Sequence, residues 1–123
     1  MPLQWSVSHP LRLVIAVAKG EVVAQEMLDL LAAIDRDGAQ GYRKLFDVTG
    51  LATEFADDRV LMLADIVKAR GGPAGPIAVV AQGDRVHRQA GLFISSIGPA
   101  RHVRAFREQH EARAWLDRLK QMH

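Results

Sequence analysis

The sequence predicts an α/β fold with a mixed, mostly parallel sheet of about five strands, an N-terminal hairpin and four helices. Short apolar runs alternate along the chain with longer segments whose apolar residues recur at helical spacing. The first two apolar runs follow one another directly, separated only by a break at His9-Pro10. The expected order is therefore β-β-α-β-α-β-α-β-α, and 123 residues suit one domain, residues 1–123.

The opening runs predict an antiparallel hairpin. Residues 4–8 alternate in part, whereas residues 11–18 are almost continuously apolar, so we expect the second strand to be the more buried. A helix follows, because its apolar residues recur at helical spacing: Val23, Met27, Leu30, Leu31 and Ile34. Gly38 is expected to end this helix, because glycine readily adopts the left-handed conformation that is common after the last helical residue.

The chain is organised around residues 42–50, which predict a buried strand running out into a polar turn. Asp57-Asp58 then opens a second helix, whose buried face is Val60, Leu63, Ala64 and Val67. A loop rich in glycine and proline covers residues 71–76. The wholly apolar residues 77–81 are typical of a central strand covered on both faces.

The remaining segments complete the alternation. A third helix is predicted from Val86, Ala90, Phe93, Ile94 and Ile97, and it ends at Gly98-Pro99. Residues 101–106 predict a last strand whose charges favour the edge of the sheet. A C-terminal helix beginning near residues 109–111 has an apolar stripe of Ala112, Trp115, Leu116 and Leu119.

Composition limits the classes of function. The chain has no cysteine, which excludes disulfides and thiol catalysis. No apolar run approaches the ~20 residues that cross a bilayer, and no signal peptide is recognisable, so we expect a cytoplasmic protein. Residues 1–62 carry 6 basic and 9 acidic residues and residues 63–123 carry 10 and 5. This basic excess is too small to predict binding to nucleic acid.

No pattern predicts a catalytic or metal site. The histidines at positions 9, 87, 102, 110 and 123 form no HExxH or H-x-H grouping. Asp57 and Asp58 are adjacent, so on a helix they point in different directions and cannot readily share a proton. They are better explained as the start of a helix. We therefore expect no catalytic residue, no metal and no cofactor.

Five arginines form a candidate anion-binding patch. Two lie at the start of the third helix and three on or near the last strand: Arg85, Arg88, Arg101, Arg104 and Arg107. If these elements are neighbours, the guanidinium groups could bind one anion. The alternative is a set of solvated arginines at the edge of the sheet, which the same spacing would also produce.

The residues Asp47-Val48-Thr49-Gly50 have good turn chemistry. An aspartate can accept hydrogen bonds from main-chain amides two residues further on, and glycine tolerates positive φ. In an α/β sheet, ligands bind beyond the carboxyl ends of the strands. Residues 47–50 and 82–84 are therefore the default place for a site.

Several segments resemble the SpoIIAA-like, or STAS-like, domains, in particular their small uncharacterised bacterial branch. The similar features are the strand from Val14 to Gly20 with a helix directly after it, the strand end Leu45-Phe46-Asp47, and the strand from Ile77 to Ala81. The closing Phe106 and the helix Glu111-Ala112-Arg113-Ala114-Trp115-Leu116 look similar too. The resemblance spans nearly the whole chain and implies a STAS-like fold.

This resemblance also implies a function. Regulatory members of the fold carry an Asp-x-Ser-Gly motif whose hydroxyl is phosphorylated by a partner kinase. Asp47-Val48-Thr49-Gly50 is similar, with threonine in place of serine, and places Thr49 as the phospho-acceptor. The expected function is a non-enzymatic regulatory or protein-interaction domain with an unidentified protein partner, acting through Asp47, Thr49 and Gly50.

Two alternatives stay open. The chain could carry a small apolar or lipid-like ligand between sheet and helices, in a cavity lined by Met27, Leu61, Met62 and Phe93. The weaker alternative is an enzyme with its site at the carboxyl ends of the strands. The exposed first strand and the apolar helix faces also suggest a homodimer, since two-fold pairing is the commonest closed assembly.

Overall fold

In the part of the chain that the structure describes, five strands and four helices follow in the order predicted. The computed structural model describes residues 3–51, 56–69, 75–98 and 102–120. The strands are β1 (Leu3–Ser8), β2 (Leu13–Gly20), β3 (Arg43–Leu51), β4 (Ile77–Val80) and β5 (Val103–Phe106). The helices are α1 (Ala24–Arg36), α2 (Asp57–Ala69), α3 (Asp84–Ile97) and α4 (Gln109–Lys120). The α/β class is therefore confirmed.

The strands form one mixed sheet in the order β1-β2-β3-β4-β5. β1 pairs with β2 in antiparallel fashion, which confirms the hairpin, and the other pairings are parallel. One continuous row across the parallel strands joins Ile15, Leu45, Ala78 and Arg104. β4 therefore lies inside the sheet and β5 at its edge, as their apolar and charged sequences predicted.

The two faces of the sheet are covered unequally. On one face, Leu13, Leu45 and Ala78 pack against Ala112 and Leu116 of α4. The opposite face is covered by α1, α2 and α3, as expected when three successive parallel connections are all right-handed. There the buried cluster includes Val14, Ala16 and Val48 from the sheet, with Leu30 and Ile34 from α1.

Both ends of α1 are set by local hydrogen bonds. The Glu26 carboxylate accepts the main-chain N–H of Val23 over 3.2 Å and that of Leu3 over 3.2 Å, so it fixes the helix start to β1. At the other end Gly38 has a φ of +68°, and the N–H of Ala39 donates to the carbonyl of Ile34. A side chain at position 38 would cost roughly 1–2 kcal/mol, which explains the glycine.

The expectation of a polar turn within residues 47–50 was wrong, because these residues belong to β3. Pairing with β2 continues beyond Asp47 to Gly50 and Leu51, through an irregularity between Val17 and Lys19. Gly50 has no positive φ; instead a Cβ there would lie 3.1 Å from the Ala18 carbonyl oxygen. Gly50 therefore lies where two main chains approach closely, and not in a turn.

Arg43 is a buried cation that the sequence patterns did not single out. It lies on the α4 face of β3, and its Nη1 and Nη2 atoms donate to the carbonyls of Leu116 and Leu11 over 3.2 and 2.7 Å. Nη1 also lies 3.4 Å from Asp117. Arg43 thus joins α4 to the hairpin turn. Among the described helices, none has the length and hydropathy required to cross a membrane.

Candidate functional site

A cavity of about 160 Å³ lies between the sheet and helices α1, α2 and α3. Its floor includes Val14, Ala16 and Val48 of the central strands, whose side chains are short. The helices contribute longer side chains, among them Met27 and Phe93. The floor also includes the larger Phe46 and Ile77, and the cavity is the space that remains between these strands and the helices.

The cavity wall is almost wholly apolar. Among the described lining residues, Lys44 and Gln89 are those with polar side chains, and both have protein partners. The Nζ atom of Lys44 donates to the main-chain carbonyls of Gln40 and Tyr42 over 2.6 and 2.8 Å. Nε2 of Gln89 donates to Oδ1 of Asp57 over 3.0 Å. An occupant would therefore meet hydrocarbon where it touches this wall.

Two of the four residues expected to line such a cavity do so, and two do not. Met27 and Phe93 do line it. Leu61 and Met62 do not; they are 40% and 44% exposed on the outer side of α2. The inner side of that helix carries Val60, Leu63, Ala64 and Val67, and residues 61 and 62 fall outside this i, i+3, i+4, i+7 stripe. The helical spacing was the signal that should have excluded them.

Gln89 and Asp57 form a contact that the sequence analysis missed. Gln89 is buried on α3, and its hydrogen bond reaches the first residue of α2. This hydrogen bond is the largest effect that lowers the pKa of Asp57, and the nearby charges of Arg88 and Arg85 lower it further, against a smaller opposing effect of burial. A signal was present, since Gln89 is a polar residue on the apolar stripe of the third helix.

Asp47 and Thr49 adopt a compact arrangement near the carboxyl end of β3. Oδ1 of Asp47 accepts the main-chain N–H of Thr49 over 2.9 Å and its hydroxyl over 2.7 Å. Thr49 and Gly50 are exposed, and Asp47 is half-buried. The predicted hydrogen bonding of Asp47 therefore occurs, although within a strand. The hydroxyl of Thr49 is available at the surface, but it already donates to a carboxylate.

The described arginines of the candidate anion patch have other partners. Arg88 pairs with Asp57 at 3.3 Å, and Arg107 pairs with Asp84 at 3.2 Å while donating to the Gln82 carbonyl. The Arg104 guanidinium lies 5.3 Å from the ring centroid of Phe106.

Arg85 lies in the first turn of α3 and is exposed, and Arg101 lies outside the described residues. Carboxylates beside Arg88 and Arg107 reduce the positive potential that an anion would meet. A shared patch of these five arginines stays a prediction.

Three other polar residues considered as site candidates, Asp57, Asp58 and His9, have defined places in the fold. Asp57 and Asp58 begin α2, as predicted. His9 is bonded through Nδ1 to the hydroxyl of Tyr42 over 2.7 Å at the exposed hairpin turn. Across residues 3–51, 56–69, 75–98 and 102–120, no three His, Asp or Glu side chains are grouped so that they could hold a metal ion.

A solved structure with the same architecture bears on the fold. No family model and no curated protein matches the chain. The crystal structure of an uncharacterized protein from the DUF3478 family with a SpoIIAA-like fold, from Shewanella loihica PV-4, is similar to it with a TM-score of 0.62. The match covers 93% of each chain at 16% sequence identity. The chain therefore has the SpoIIAA-like fold that the sequence resemblance implied.

Proposed function

We propose that this protein binds a small apolar molecule in the cavity between the sheet and helices α1, α2 and α3. The observation that carries the proposal is the cavity itself, about 160 Å³ with an almost wholly apolar wall. An engineered cavity of about 150 Å³ lined by similar side chains stays free of water and binds benzene. The space here suits one six-membered ring or a short alkyl chain.

The expected affinity is modest. A ligand of this size that buries about 200 Å² of apolar surface gains roughly 5 kcal/mol from the hydrophobic effect. That free energy corresponds to a Kd on the order of 0.1–1 mM. A longer ligand that extends beyond the cavity would bind more tightly, in proportion to the additional apolar surface that it buries.

The test is a benzene titration that compares two matched variants. Ala16→Leu adds three carbon atoms to a buried residue on the cavity floor, whereas Ala32→Leu makes the same change at an exposed position on α1. We expect benzene to raise the midpoint of thermal unfolding in the wild type and in Ala32→Leu, and not in Ala16→Leu. Equal shifts in all three proteins would show that benzene binds elsewhere, and no shift in any of them would contradict the proposal.

A second candidate function is the regulatory or protein-interaction role, with Thr49 as a phospho-acceptor. It is favoured by the exposure of Thr49, whose hydroxyl lies at the surface beside Asp47. A phosphate would add about −1.5 to −2 charges beside that carboxylate, so it would break the contact and change this surface.

The mass of the protein isolated from its own cells tests this second role. A phosphate that maps to Thr49, and is lost in Thr49→Ala, supports the switch. Unmodified Thr49 under every growth condition tested would contradict it. The result is independent of the benzene titration, because residue 49 does not line the cavity.

A further inference from the structure

β1 is an edge strand that lacks the usual protections against pairing. In the described part of the chain, it pairs with β2 on one side only. Its six residues, Leu3 to Ser8, include no proline and no charge, and its pairing with β2 shows no irregularity. Natural edge strands are commonly protected by charges, prolines or bulges, because their outward N–H and C=O groups can pair with another chain.

The contact of Leu3 with Glu26 indicates which main-chain groups of β1 face outward. The N–H of Leu3 donates to the Glu26 carboxylate, a side chain of α1, and not to a carbonyl of β2. In an antiparallel pair, N–H and C=O groups alternate in direction from one residue to the next. The N–H and C=O groups of Trp5 and Val7 therefore also face away from β2. The Glu26 carboxylate already accepts the N–H of Leu3. Trp5 and Val7 therefore carry the main-chain groups that are available for pairing.

The other edge of the sheet is a poor partner for this strand. β5 has only four residues, from Val103 to Phe106, and carries Arg104, with Arg107 directly after it. Pairing of two β5 strands would bring these arginines together, and pairing of β5 with β1 would be head-to-tail, which gives a ring or an open filament in place of a two-fold dimer. A second copy of β1 is uncharged, of equal length and self-complementary under a two-fold axis.

We propose that two copies of this chain associate through antiparallel pairing of their β1 strands, with the two-fold axis at Ser6. In this register Trp5 of each copy exchanges hydrogen bonds with Val7 of the other, and the N–H of Leu3 keeps its contact with Glu26. Trp5 and Val7 also form cross-strand pairs of an aromatic and a β-branched side chain, which stabilise sheets. The inference is independent of the proposed function, because the cavity lies elsewhere.

Because the chain has no cysteine, single cysteine substitutions test this register. Ser6 and Gln4 are both exposed on the same face of β1. In the proposed dimer the two Ser6 residues form a non-hydrogen-bonded pair with Cα atoms about 4.5 Å apart, which permits a disulfide. The two Gln4 residues are separated by four residues of strand, or about 14 Å. This distance does not permit a disulfide.

We expect Ser6→Cys to form a covalent dimer under mild oxidation and Gln4→Cys to remain monomeric on a denaturing gel. Cross-linking of both variants would indicate random collision, and cross-linking of neither would place the interface elsewhere. Either result overturns the proposal. Circular dichroism of the reduced proteins verifies that both variants fold.

A second pair of variants tests the same interface without oxidation. Ser6→Lys places two positive charges opposite one another at the two-fold axis, whereas Gln4→Lys places each lysine opposite Ser8 of the other copy. Sedimentation velocity should show a wild-type dimer whose Kd rises roughly fivefold or more in Ser6→Lys and little in Gln4→Lys. A wild type that is monomeric at every concentration, or equal effects of the two lysines, would contradict the proposal.

Discussion

The side chain of Gln89 on α3 donates a hydrogen bond of 3.0 Å to Asp57, the first residue of α2. This contact gives the amide of a buried, cavity-lining residue a charged acceptor. An unsatisfied amide there would make the wall polar and would carry a cost of desolvation. The apolar character of the cavity and the attachment of α2 thus depend on the same hydrogen bond.

Replacing Gln89 by alanine should loosen α2. The variant loses the hydrogen bond between the two helices while the sheet and α4 remain unchanged. We expect the main-chain amides of α2 to exchange with deuterium faster in Gln89→Ala than in the wild type. Under conditions where only local opening contributes, the amides of α4 should exchange at the wild-type rate.

The matched control is Gln82→Ala, because Gln82 is exposed and its carbonyl contact with Arg107 does not need the side chain. Equal exchange of α2 in the two variants would contradict the role assigned to Gln89.

The Asp57 contact also predicts a dependence of stability on pH. The pKa of Asp57 is lowered from 3.8, chiefly by the hydrogen bond from Gln89 and then by Arg88 and Arg85. A carboxyl group with a lowered folded-state pKa stabilises the fold fully above its unfolded-state pKa. That stabilisation is lost as the pH falls through the lower, folded-state pKa.

Urea denaturation between about pH 6 and pH 3 measures this linkage. We expect Asp57→Asn to be less stable than the wild type near neutral pH, and the difference between the two proteins to shrink as the solution becomes more acidic. Subtracting the two curves removes the contribution of the other carboxylates. A difference that stays constant across the range would contradict the assignment.

Much of the fold could be predicted because its elements are strongly periodic. The apolar stripe of α1 predicts a helix, and the wholly apolar sequence of β4 predicts a buried strand. Gly38 predicts the end of α1, because glycine readily adopts the left-handed conformation found there. The length of β3 could not be predicted in the same way. Its continuation to Leu51 depends on pairing with β2, and a residue such as Thr49 carries no sign of that long-range contact.

The site was less predictable than the fold, for a physical reason. A cavity is a difference between the volume that side chains fill and the volume that the backbone encloses, and sequence spacing reports neither. Spacing could have excluded Leu61 and Met62 from the inner face of α2. It could not show that the short side chain of Ala16 leaves a space beneath the helices.

Arg43 should be important for stability. It is buried, and it supplies hydrogen bonds to the carbonyls of Leu116 and Leu11. Arg43→Ala leaves those carbonyls without their donor and opens a space beside α4, so we expect a loss of about 2–4 kcal/mol in the free energy of unfolding. Arg36→Ala, which removes an exposed ion pair, should change it by less than about 0.5 kcal/mol. Urea denaturation compares the two; similar losses would refute this role for Arg43.

Gly75 should not tolerate a side chain. A Cβ atom there would overlap the main-chain carbonyl of Tyr42, which is rigid because it precedes β3. We expect Gly75→Ala to cost about 3 kcal/mol in the free energy of unfolding, since main-chain atoms must move. Gly91 lies on the exposed side of α3, with open space around its Cβ position and no positive φ, so Gly91→Ala is the control and should not lower stability. Thermal unfolding of both variants measures the difference, and equal stability would disprove the close approach at Gly75.

The central claim, that the cavity receives an apolar ligand, is tested most directly by methyl NMR of protein labelled at its four methionines. Met27 lines the cavity, whereas Met62 is exposed on the outer side of α2, so one spectrum contains both the reporter and its control. Titration with benzene should shift the methyl signal of Met27 saturably and leave that of Met62 in place. Movement of Met62 alone, or no saturable change in either signal, would contradict the claim.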